Sequence, residues 1–426
     1  MKNKISVFIV MTICTLSLSA QIQVLTLEEC HEKARENYPL IRQHSLLEIS
    51  ENYTLDNIFK VYLPQVSLNG QASYQTDVTQ INMKGTFPID ISQFIETMNK
   101  DQYKIYAQVE QLLWDGGQSR ARAKTVKAAT EIEKQQIEVS LHAIKDKINQ
   151  LYFGILSINE QLKQLDILDS DLQANKDLAQ SMLKNGVVMP SDLDLIQVEF
   201  LNLEQKKIEL HSYKNAYLQM LSVFTNEKIG DFVELQLPDD ISELPDDIKR
   251  PELILFDKQR LLYQSQKSDI KAKNRPVFGL FIQGGYGRPG LNMLEPEFKT
   301  YALGGVKFTW NFGNLYTYKN DLNLIRNNLN TIDVQEQTFR FNTTLEMNRL
   351  KPEIEKYKKL MDKDEKIVDL RSRIKNISRS KYENGICQMK DLIADTNAEN
   401  QARQTKIQHY IQYLISTYDY QYTQGN

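Results

Sequence analysis

The side chains that most often carry chemistry are scattered through this 426-residue sequence. No two histidines share the spacing of metal ligands, and the chain has no GxSxG motif, no P-loop and no Cys-x-x-Cys pair. Residues 285–290 fit GxGxxG, but Pro289 interrupts the motif and no helix follows, which indicates a strand end and a loop. We therefore predict no catalytic residue, no cofactor and no metal site, in a protein that is not an enzyme. The five histidines are His31, His44, His142, His211 and His409.

Two aspartates occupy matching places, each shortly after an Asn-Gly pair. Asp192 lies six residues after Gly186, and Asp391 lies six residues after Gly385. Because an Asn-Gly pair suits the left-handed residue that ends a helix, each aspartate is expected near the start of the next helix. A carboxylate there interacts favourably with the helix dipole, which gives both aspartates a purely structural explanation.

Residues 118–184 organise the rest of the chain. This segment is 67 residues long, has no proline and contains one glycine, Gly154. From Leu141 to Leu165 apolar side chains recur at alternating steps of three and four, which is typical of a helix that packs along one seam. One continuous helix over these residues is roughly 100 Å long. Charged side chains throughout the segment exclude a membrane-spanning helix, so we predict a water-exposed rod whose seam neighbours must cover.

Before this helix the hydrophobic period changes from helical to two. Between Tyr62 and Tyr74 most even positions are apolar, whereas the odd positions from 65 onward are uncharged and polar. A second strand is predicted from Tyr103 to Trp114. Both strands have about the length that crosses a membrane in a β-barrel. The polar face of the first strand contains Gln65, Ser67, Asn69 and Gln71.

The whole pattern occurs twice. Trp114 matches Trp310 at an offset of 196 residues, and Gly186 matches Gly385 at an offset of 199. Pro352 falls inside the second long helix, where it predicts a kink or an opened turn. The predicted divisions are a signal peptide at 1–20, N-terminal helices at 21–61, a transmembrane β-hairpin at 62–114, a helical hairpin at 115–225, a linker in the equatorial region at 226–250, a helix at 251–275, a second transmembrane β-hairpin at 276–313 and a second helical hairpin with the C-terminus at 314–426.

Composition and the first twenty residues indicate an exported protein. Lys2 and Lys4 precede an apolar stretch and a small-residue exit, which is typical of a secretory signal. The formal net charge is −3 and no basic patch is present, which argues against nucleic acid as a partner. Only Cys30 and Cys387 lie beyond the signal, so the chain is not a disulfide scaffold.

Four candidate membrane strands per chain do not suffice to close a barrel. Open sheet edges in lipid leave unpaired backbone groups that cost several kcal/mol each. Several chains must therefore contribute to one barrel, and three chains give twelve strands around an aqueous lumen. We predict that Gln65, Ser67, Asn69 and Gln71 line this lumen, and that the helices continue the tube as a ring of hairpins.

The sequence resembles the TolC-type outer membrane efflux proteins over essentially the whole chain beyond the signal. The resemblance rests on Leu-Thr-Leu-Glu-Glu-Cys at 25–30, Leu-Trp-Asp-Gly-Gly at 113–117, Tyr-Glu-Asn-Gly at 382–385 and the duplicated strand-strand-helix-helix order. It implies a mainly α fold with transmembrane β-structure, assembled as a homotrimer with a twelve-stranded β-barrel and a periplasmic α-helical coiled-coil barrel. It further implies the exit duct of a tripartite efflux pump or type I secretion system in the outer membrane of a Gram-negative bacterium. The implied partners are outer membrane lipid, a periplasmic adaptor (membrane fusion) protein and an inner membrane transporter of the RND, ABC or MFS type.

In that family, tyrosine and aspartate side chains of the second repeat hold the periplasmic tip of the tunnel shut. The resemblance implies this gate role for Tyr382, three residues before the glycine, and for Asp391, six residues after it. The family's second aspartate position falls on Ala394, and Asp395 lies one residue beyond. Asp192 is the first-repeat counterpart of Asp391. Three copies of Asp391 in a narrow pore would repel one another and attract cations.

Two other classes of protein also carry long exported helices. A periplasmic adaptor is a binding protein with a coiled hairpin, but an adaptor normally has one hairpin and lipoyl-like β modules. Here the hairpins are two, and the strands have membrane length with polar-apolar alternation. An exported enzyme with a coiled-coil appendage is the third class, and no catalytic constellation supports it.

Overall fold

Long helices and four strands make up most of the chain. The computed structural model describes residues 24–79, 98–230, 233–238, 244–293 and 295–425, so the predicted signal peptide lies outside the described residues. In chain order the elements are β1 (Val24–Leu25), α1 (Leu27–Asn37), α2 (Gln43–Phe59), β2 (Gln65–Tyr74), β3 (Asp101–Trp114), α3 (Gln118–Lys184), α4 (Pro190–Thr225), β4 (Glu234–Leu235), α5 (Pro251–Lys273), β5 (Val277–Arg288), β6 (Lys299–Thr309), α6 (Asn314–Glu383) and α7 (Met389–Gln424), with short 3-10 turns at Pro39–Arg42 and Lys60–Tyr62.

The chain divides into two compact units. The sheet unit comprises Pro39–Ser140 and Lys249–Thr344, and the helical unit comprises the described residues of Met1–Tyr38, Leu141–Ile248 and Leu345–Asn426. Both long helices, α3 and α6, contribute residues to each unit. The two copies of the predicted repeat are therefore shared between the units.

The sheet unit holds one four-stranded antiparallel sheet in the order β2-β3-β5-β6. The two hairpins are joined through β3 and β5, with Ala107 opposite Gly284. Apolar side chains of β2 remain exposed, and Val66 and Leu68 are each 74% exposed in the single chain. Within the described residues, β2 and β6 each pair on one side only. This sheet thus has two open edges and apolar side chains in contact with solvent.

The first strand of the four-stranded sheet starts three residues later than the sequence predicts. Tyr62 lies in the 3-10 turn Lys60–Tyr62, and β2 starts at Gln65. Pro64 has no backbone N–H to donate to a neighbouring strand, so the ladder begins after it. The predicted alternation from position 65 onward is unaffected by this correction.

A close approach between strands requires glycine at position 285. A Cβ there would lie 2.7 Å from the carbonyl oxygen of Ile105 and 2.7 Å from the Cβ of Tyr106, both on β3. We expect Gly285→Ala to reduce sharply the fraction of chains that form the folded sheet, because backbone atoms must move to admit the methyl group. A semi-native gel separates folded from unfolded chains, so the fraction of the folded, heat-modifiable species on this gel measures the effect.

Gly284 provides the matched control for that prediction. A Cβ at this neighbouring position meets nothing closer than 3.9 Å, so Gly284→Ala should leave the folded fraction near that of the unmodified protein. Equal folding of the two variants would show that the β3–β5 contact tolerates a side chain at position 285.

The helical unit packs α1, α4, α7 and parts of α3 and α6 around apolar side chains. Thr26 and Glu29 form a complete capping box at the start of α1. α3 spans the predicted range 118–184, and α6 continues through Pro352 without an opened turn. None of the described helices combines the length and the apolar character that crossing a bilayer demands.

The linker between the repeats contains a short strand that the sequence analysis missed. β4 pairs in parallel with β1, and the buried Tyr152 of α3 anchors this pair. Its hydroxyl oxygen lies 2.8 Å from the carbonyl oxygen of Leu25 and 2.6 Å from that of Gln236. A two-residue strand carries no periodicity of its own, so only the tertiary contact reveals it.

Candidate functional site

The two helical hairpins turn in the same way. Gly186 follows α3 with φ +72° and Gly385 follows α6 with φ +68°, so both residues lie in the left-handed region predicted for them. In the second turn the N–H of Ile386 donates to the carbonyl of Lys381 at 2.8 Å, and the corresponding bond from Val187 measures 3.0 Å. This matched geometry places Asp192 and Asp391 near the starts of α4 and α7.

Tyr382 joins the two hairpins beneath these turns. Its side chain is only 1% exposed and packs in a cluster of buried residues from α3, α4, α6 and α7. The phenol hydroxyl donates to a carboxylate oxygen of Asp192 at 3.3 Å. Burial, together with the nearby Asp192 carboxylate, raises the pKa of Tyr382, so its hydroxyl stays protonated as a donor. The cluster contains Ala179, Met182, Ile196, Tyr382, Met389, Leu392 and Ile393.

The other two aspartates of the predicted gate have local partners on the second hairpin. Asp391 is exposed, and its carboxylate accepts the backbone N–H of Gln388 at 3.1 Å as part of a capping box for α7. Asp395 is partly exposed and accepts the hydroxyl of Ser378 on α6. The structure therefore brings Tyr382 and Asp192 together, and it places Asp391 and Asp395 on the first turns of α7.

The polar residues predicted for the lumen lie along β2. Gln65, Ser67, Asn69 and Gln71 alternate with apolar residues, and the Asn69 amide donates to the Ser67 hydroxyl at 3.1 Å. They form one continuous polar strip on one face of the strand, since successive side chains point to opposite faces. Both faces of β2 are accessible in the single chain, so the lumen assignment remains a prediction.

A charged cluster below the turns escaped the sequence analysis. Lys375 on α6 lies 2.6 Å from Glu399 on α7 and 2.9 Å from Asp171 on α3, measured from its Nζ to carboxylate oxygens. Arg403 also contacts Glu399, whose side chain is only 3% exposed. The Glu399–Arg403 pair was recognisable from its four-residue spacing on one helix. The link to Asp171 was not, because it crosses from one hairpin to the other.

In this charged cluster, hydrogen bonding shifts the pKa values of Lys375 and Glu399 more than burial does. Burial alone would lower the pKa of Lys375, but hydrogen bonds to Glu399 and Asp171 raise it. Burial alone would raise the pKa of Glu399, but hydrogen bonds from Lys375 and Arg403 lower it. Lys375 and Glu399 are therefore both charged near neutral pH. Among the described residues, no group of three His, Cys, Asp or Glu side chains is arranged to hold a metal ion.

The fold matches solved outer membrane channels. The Campylobacter jejuni CmeC channel aligns with a TM-score of 0.63 at 15% identity, covering 94% of this chain and 85% of that one. The Vibrio cholerae outer membrane protein VceC aligns with a TM-score of 0.65 at 11% identity, covering 94% and 96%. The open Neisseria gonorrhoeae MtrE channel aligns with a TM-score of 0.63 at 12% identity, covering 94% and 89%.

The chain has the fold of a TolC-type outer membrane channel. The match covers 94% of this chain, so it includes both copies of the strand-strand-helix-helix order. No protein-family model matches the sequence, and no curated protein matches it either. At identities of 11–15% the structural similarity establishes the fold alone. The roles of individual residues therefore rest on their geometry in this chain.

Proposed function

We propose that this TolC-type chain is an outer membrane exit duct through which substrates pass passively, without catalysis. The observation that carries the proposal is the four-stranded sheet, which has two open edges within the described residues and exposed apolar side chains. Three chains side by side pair every edge and close a twelve-stranded barrel around an aqueous lumen. The apolar side chains then face outer membrane lipid, and the polar strip of β2 faces the water.

The two helical hairpins of each chain supply the periplasmic part of the duct. Three chains contribute six hairpins to an α-helical barrel, with the turns at Gly186 and Gly385 at its tip. The Tyr382–Asp192 hydrogen bond ties the two hairpins of one chain together in a closed tip. Asp391 is exposed beside the turn, which supports the proposal that it rings the constriction with its two symmetry copies.

The hairpin turns also offer a surface for a periplasmic adaptor protein. Val187, Met189 and Ile386 are 59%, 73% and 72% exposed, although each is a large apolar side chain. Exposed apolar side chains in a group favour contact with another protein. We propose that an adaptor docks on these turns and couples the duct to an inner membrane transporter of the RND, ABC or MFS type.

Purification from the outer membrane fraction in detergent tests the proposed function. We expect a heat-modifiable trimer on a semi-native gel and discrete conductance steps after insertion into a planar bilayer. A monomer in the soluble periplasmic fraction that produces no conductance would contradict the proposal.

We expect Asp391→Ala to weaken the block of single-channel current by divalent cations. Three carboxylates are lost from each trimer, so the half-blocking concentration should rise about tenfold or more, which corresponds to about 1.4 kcal/mol. Loss of the cap to Gln388 should cost only about 1 kcal/mol of helix stability. Titration of the current with a divalent cation in a planar bilayer measures the effect.

The control for Asp391 removes a carboxylate away from the turn. Glu355 on α6 has a highly exposed side chain that pairs loosely with Lys359 at 3.9 Å. Glu355→Ala should leave the half-blocking concentration unchanged. The same block in the Asp391→Ala channel as in the original protein would remove Asp391 from the gate.

A further inference from the structure

A row of residues with two lysines crosses the four-stranded sheet at the end away from α3. Gln71 of β2 lies opposite Lys104 of β3. Gly287 of β5 lies opposite Lys104 on one side and opposite Lys299 of β6 on the other. Residues directly opposite each other point to the same face of a sheet, so both lysines share the face of Gln71, which is the face predicted for the lumen. We call these four residues the lysine row.

The glycine between the two lysines leaves room for an ion. Neighbouring strands are about 4.8 Å apart, so the backbones of Lys104 and Lys299 are separated by about 10 Å. A Cβ at position 287 would lie 3.0 Å from the Cγ of Lys104, so the Lys104 side chain leans over Gly287, toward β6. Because a lysine has a flexible four-carbon chain, both ammonium groups can reach one ion above Gly287.

The next row on the same face holds two tyrosines. Tyr106 of β3 lies opposite Gly285 on one side, and Tyr301 of β6 lies opposite it on the other. A Cβ at position 285 would lie 2.8 Å from the Cζ of Tyr301, so the tip of this ring lies over the glycine. The Tyr301 hydroxyl oxygen accepts the side-chain amide of Gln283 at 3.2 Å, which leaves the proton of Tyr301 free to be donated to an anion.

Positive charge is in excess on this face of the sheet. Its charged strand residues are three lysines and one glutamate, and the glutamate is Glu110, which pairs with Lys307 at 3.3 Å near the α3 end. Lys299 pairs with Glu295 in the loop before β6, but an exposed pair of this kind contributes little. Among the described residues no carboxylate forms an ion pair with Lys104. The charge of Lys104 is therefore available to a ligand.

We propose that the lysine row binds multivalent anions of the phosphate type at the outer end of the barrel lumen. This proposal rests on the proposed function and adds a binding site and a ligand class to the duct. Three chains bring six lysines to one level of the barrel, and rings of lysine favour anions and phosphates in pores. An ammonium group binds a phosphate as a point charge, and the Tyr301 hydroxyl below the row adds a hydrogen-bond donor.

Block of the single-channel current by inorganic pyrophosphate tests the site. The anion is added to both sides of a planar bilayer that holds the full-length channel, and the current is titrated. We expect block of the unmodified channel and a half-blocking concentration about tenfold higher for Lys104→Gln, which removes three of the six charges in the ring. Lys104→Arg keeps the charge and should keep the half-blocking concentration within about threefold of the original.

Lys307→Gln provides the matched control. Lys307 lies on the same face and its loss changes the net charge equally, but its partner is Glu110 and it lies near the other end of the sheet. Its half-blocking concentration should stay within about twofold of the original. An equal rise in both glutamine variants would mean that the overall charge of the lumen attracts the anion, and it would overturn the proposed site.

Two further outcomes separate this proposal from the proposed function. A conducting channel that pyrophosphate does not block, or that it blocks equally with and without Lys104, would overturn the anion site and leave the exit duct standing. A purified protein that produces no conductance at all would contradict the exit duct and the anion site together.

Discussion

Replacing Tyr382 by alanine should shift the channel toward its open state on the order of a hundredfold or more. Removal of a fully buried aromatic side chain typically costs about 3–5 kcal/mol, and each 1.4 kcal/mol is a tenfold change in an equilibrium. Tyr382 lies where the two hairpins of one chain pack together, so this cost falls on the arrangement that we propose to be the closed state of the channel. Single-channel recording should show a higher conductance and more time in the open state.

Two further variants separate packing from the hydrogen bond. Tyr382→Phe keeps the ring but removes the hydroxyl that donates to Asp192, so we expect a smaller shift of about fivefold, or about 1 kcal/mol. Tyr213→Ala removes a tyrosine that is 52% exposed on α4, and it should leave the conductance unchanged. A Tyr382→Ala channel with the conductance and open time of the original protein would rule out Tyr382 as the lock between the hairpins.

Replacing Lys375 by methionine should destabilise the helices around it by about 3 kcal/mol. Glu399 is 3% exposed and would lose the partner that contacts it at 2.6 Å, and breaking a buried pair from one side typically costs about 3–5 kcal/mol. Amide hydrogen exchange in α6 and α7 should accelerate by about a hundredfold, since exchange reports local opening. The double variant Lys375→Met with Glu399→Leu should recover much of this protection, because no buried charge is left unpaired.

An exposed ion pair on the same helix provides the comparison. Lys359 and Glu355 are 80% and 72% exposed, and such pairs contribute at most about 1 kcal/mol. Lys359→Met should therefore change hydrogen exchange by about fivefold or less. If Lys375→Met and Lys359→Met accelerated exchange equally, the cluster around Lys375 would have no special part in holding the hairpins together.

The same cluster predicts how stability depends on pH. The pKa of Glu399 is lowered in the folded chain, so its contribution is complete above the ordinary value of 4.5 and is lost as pH falls through the folded pKa. The pKa of Lys375 is raised, so its contribution is complete below the ordinary value of 10.5 and is lost as pH rises through the folded pKa. Protection near the cluster, corrected for intrinsic exchange, should be flat between about pH 7 and 9 and fall below about pH 4.5.

Much of the fold was predictable because its elements are long. A three-four seam from Leu141 to Leu165, inside a 67-residue segment without proline, indicates one long helix, and Gly186 marks its end. The repeat was visible because Trp114 and Trp310 keep nearly constant distances to the turn glycines. Short features were less accessible, as at β4, where two residues are too few to carry a pattern. The sequence predicted a kink or an opened turn at Pro352, and α6 continues through it without an opened turn.

The residues of the candidate site were named from the family resemblance, and their gate role stays a prediction. The position of Tyr382 before the Asn-Gly pair carries the resemblance, but only the structure reveals its burial and its hydrogen bond to Asp192. Nothing local in the sequence indicates that Asp395 accepts a hydrogen bond from Ser378, 17 residues earlier on another helix. Lys375 was missed for the same reason, because its partners come from two other helices.

We propose that this sheet is completed by other copies of the same chain. Light scattering of the detergent-solubilised protein, corrected for bound detergent, measures the number of chains in one particle. We expect three chains per particle, and averaged electron-microscopy images of the same sample should show threefold symmetry with twelve strands. A particle with the mass of one chain that stays dissolved when the detergent is removed would rule out a shared barrel.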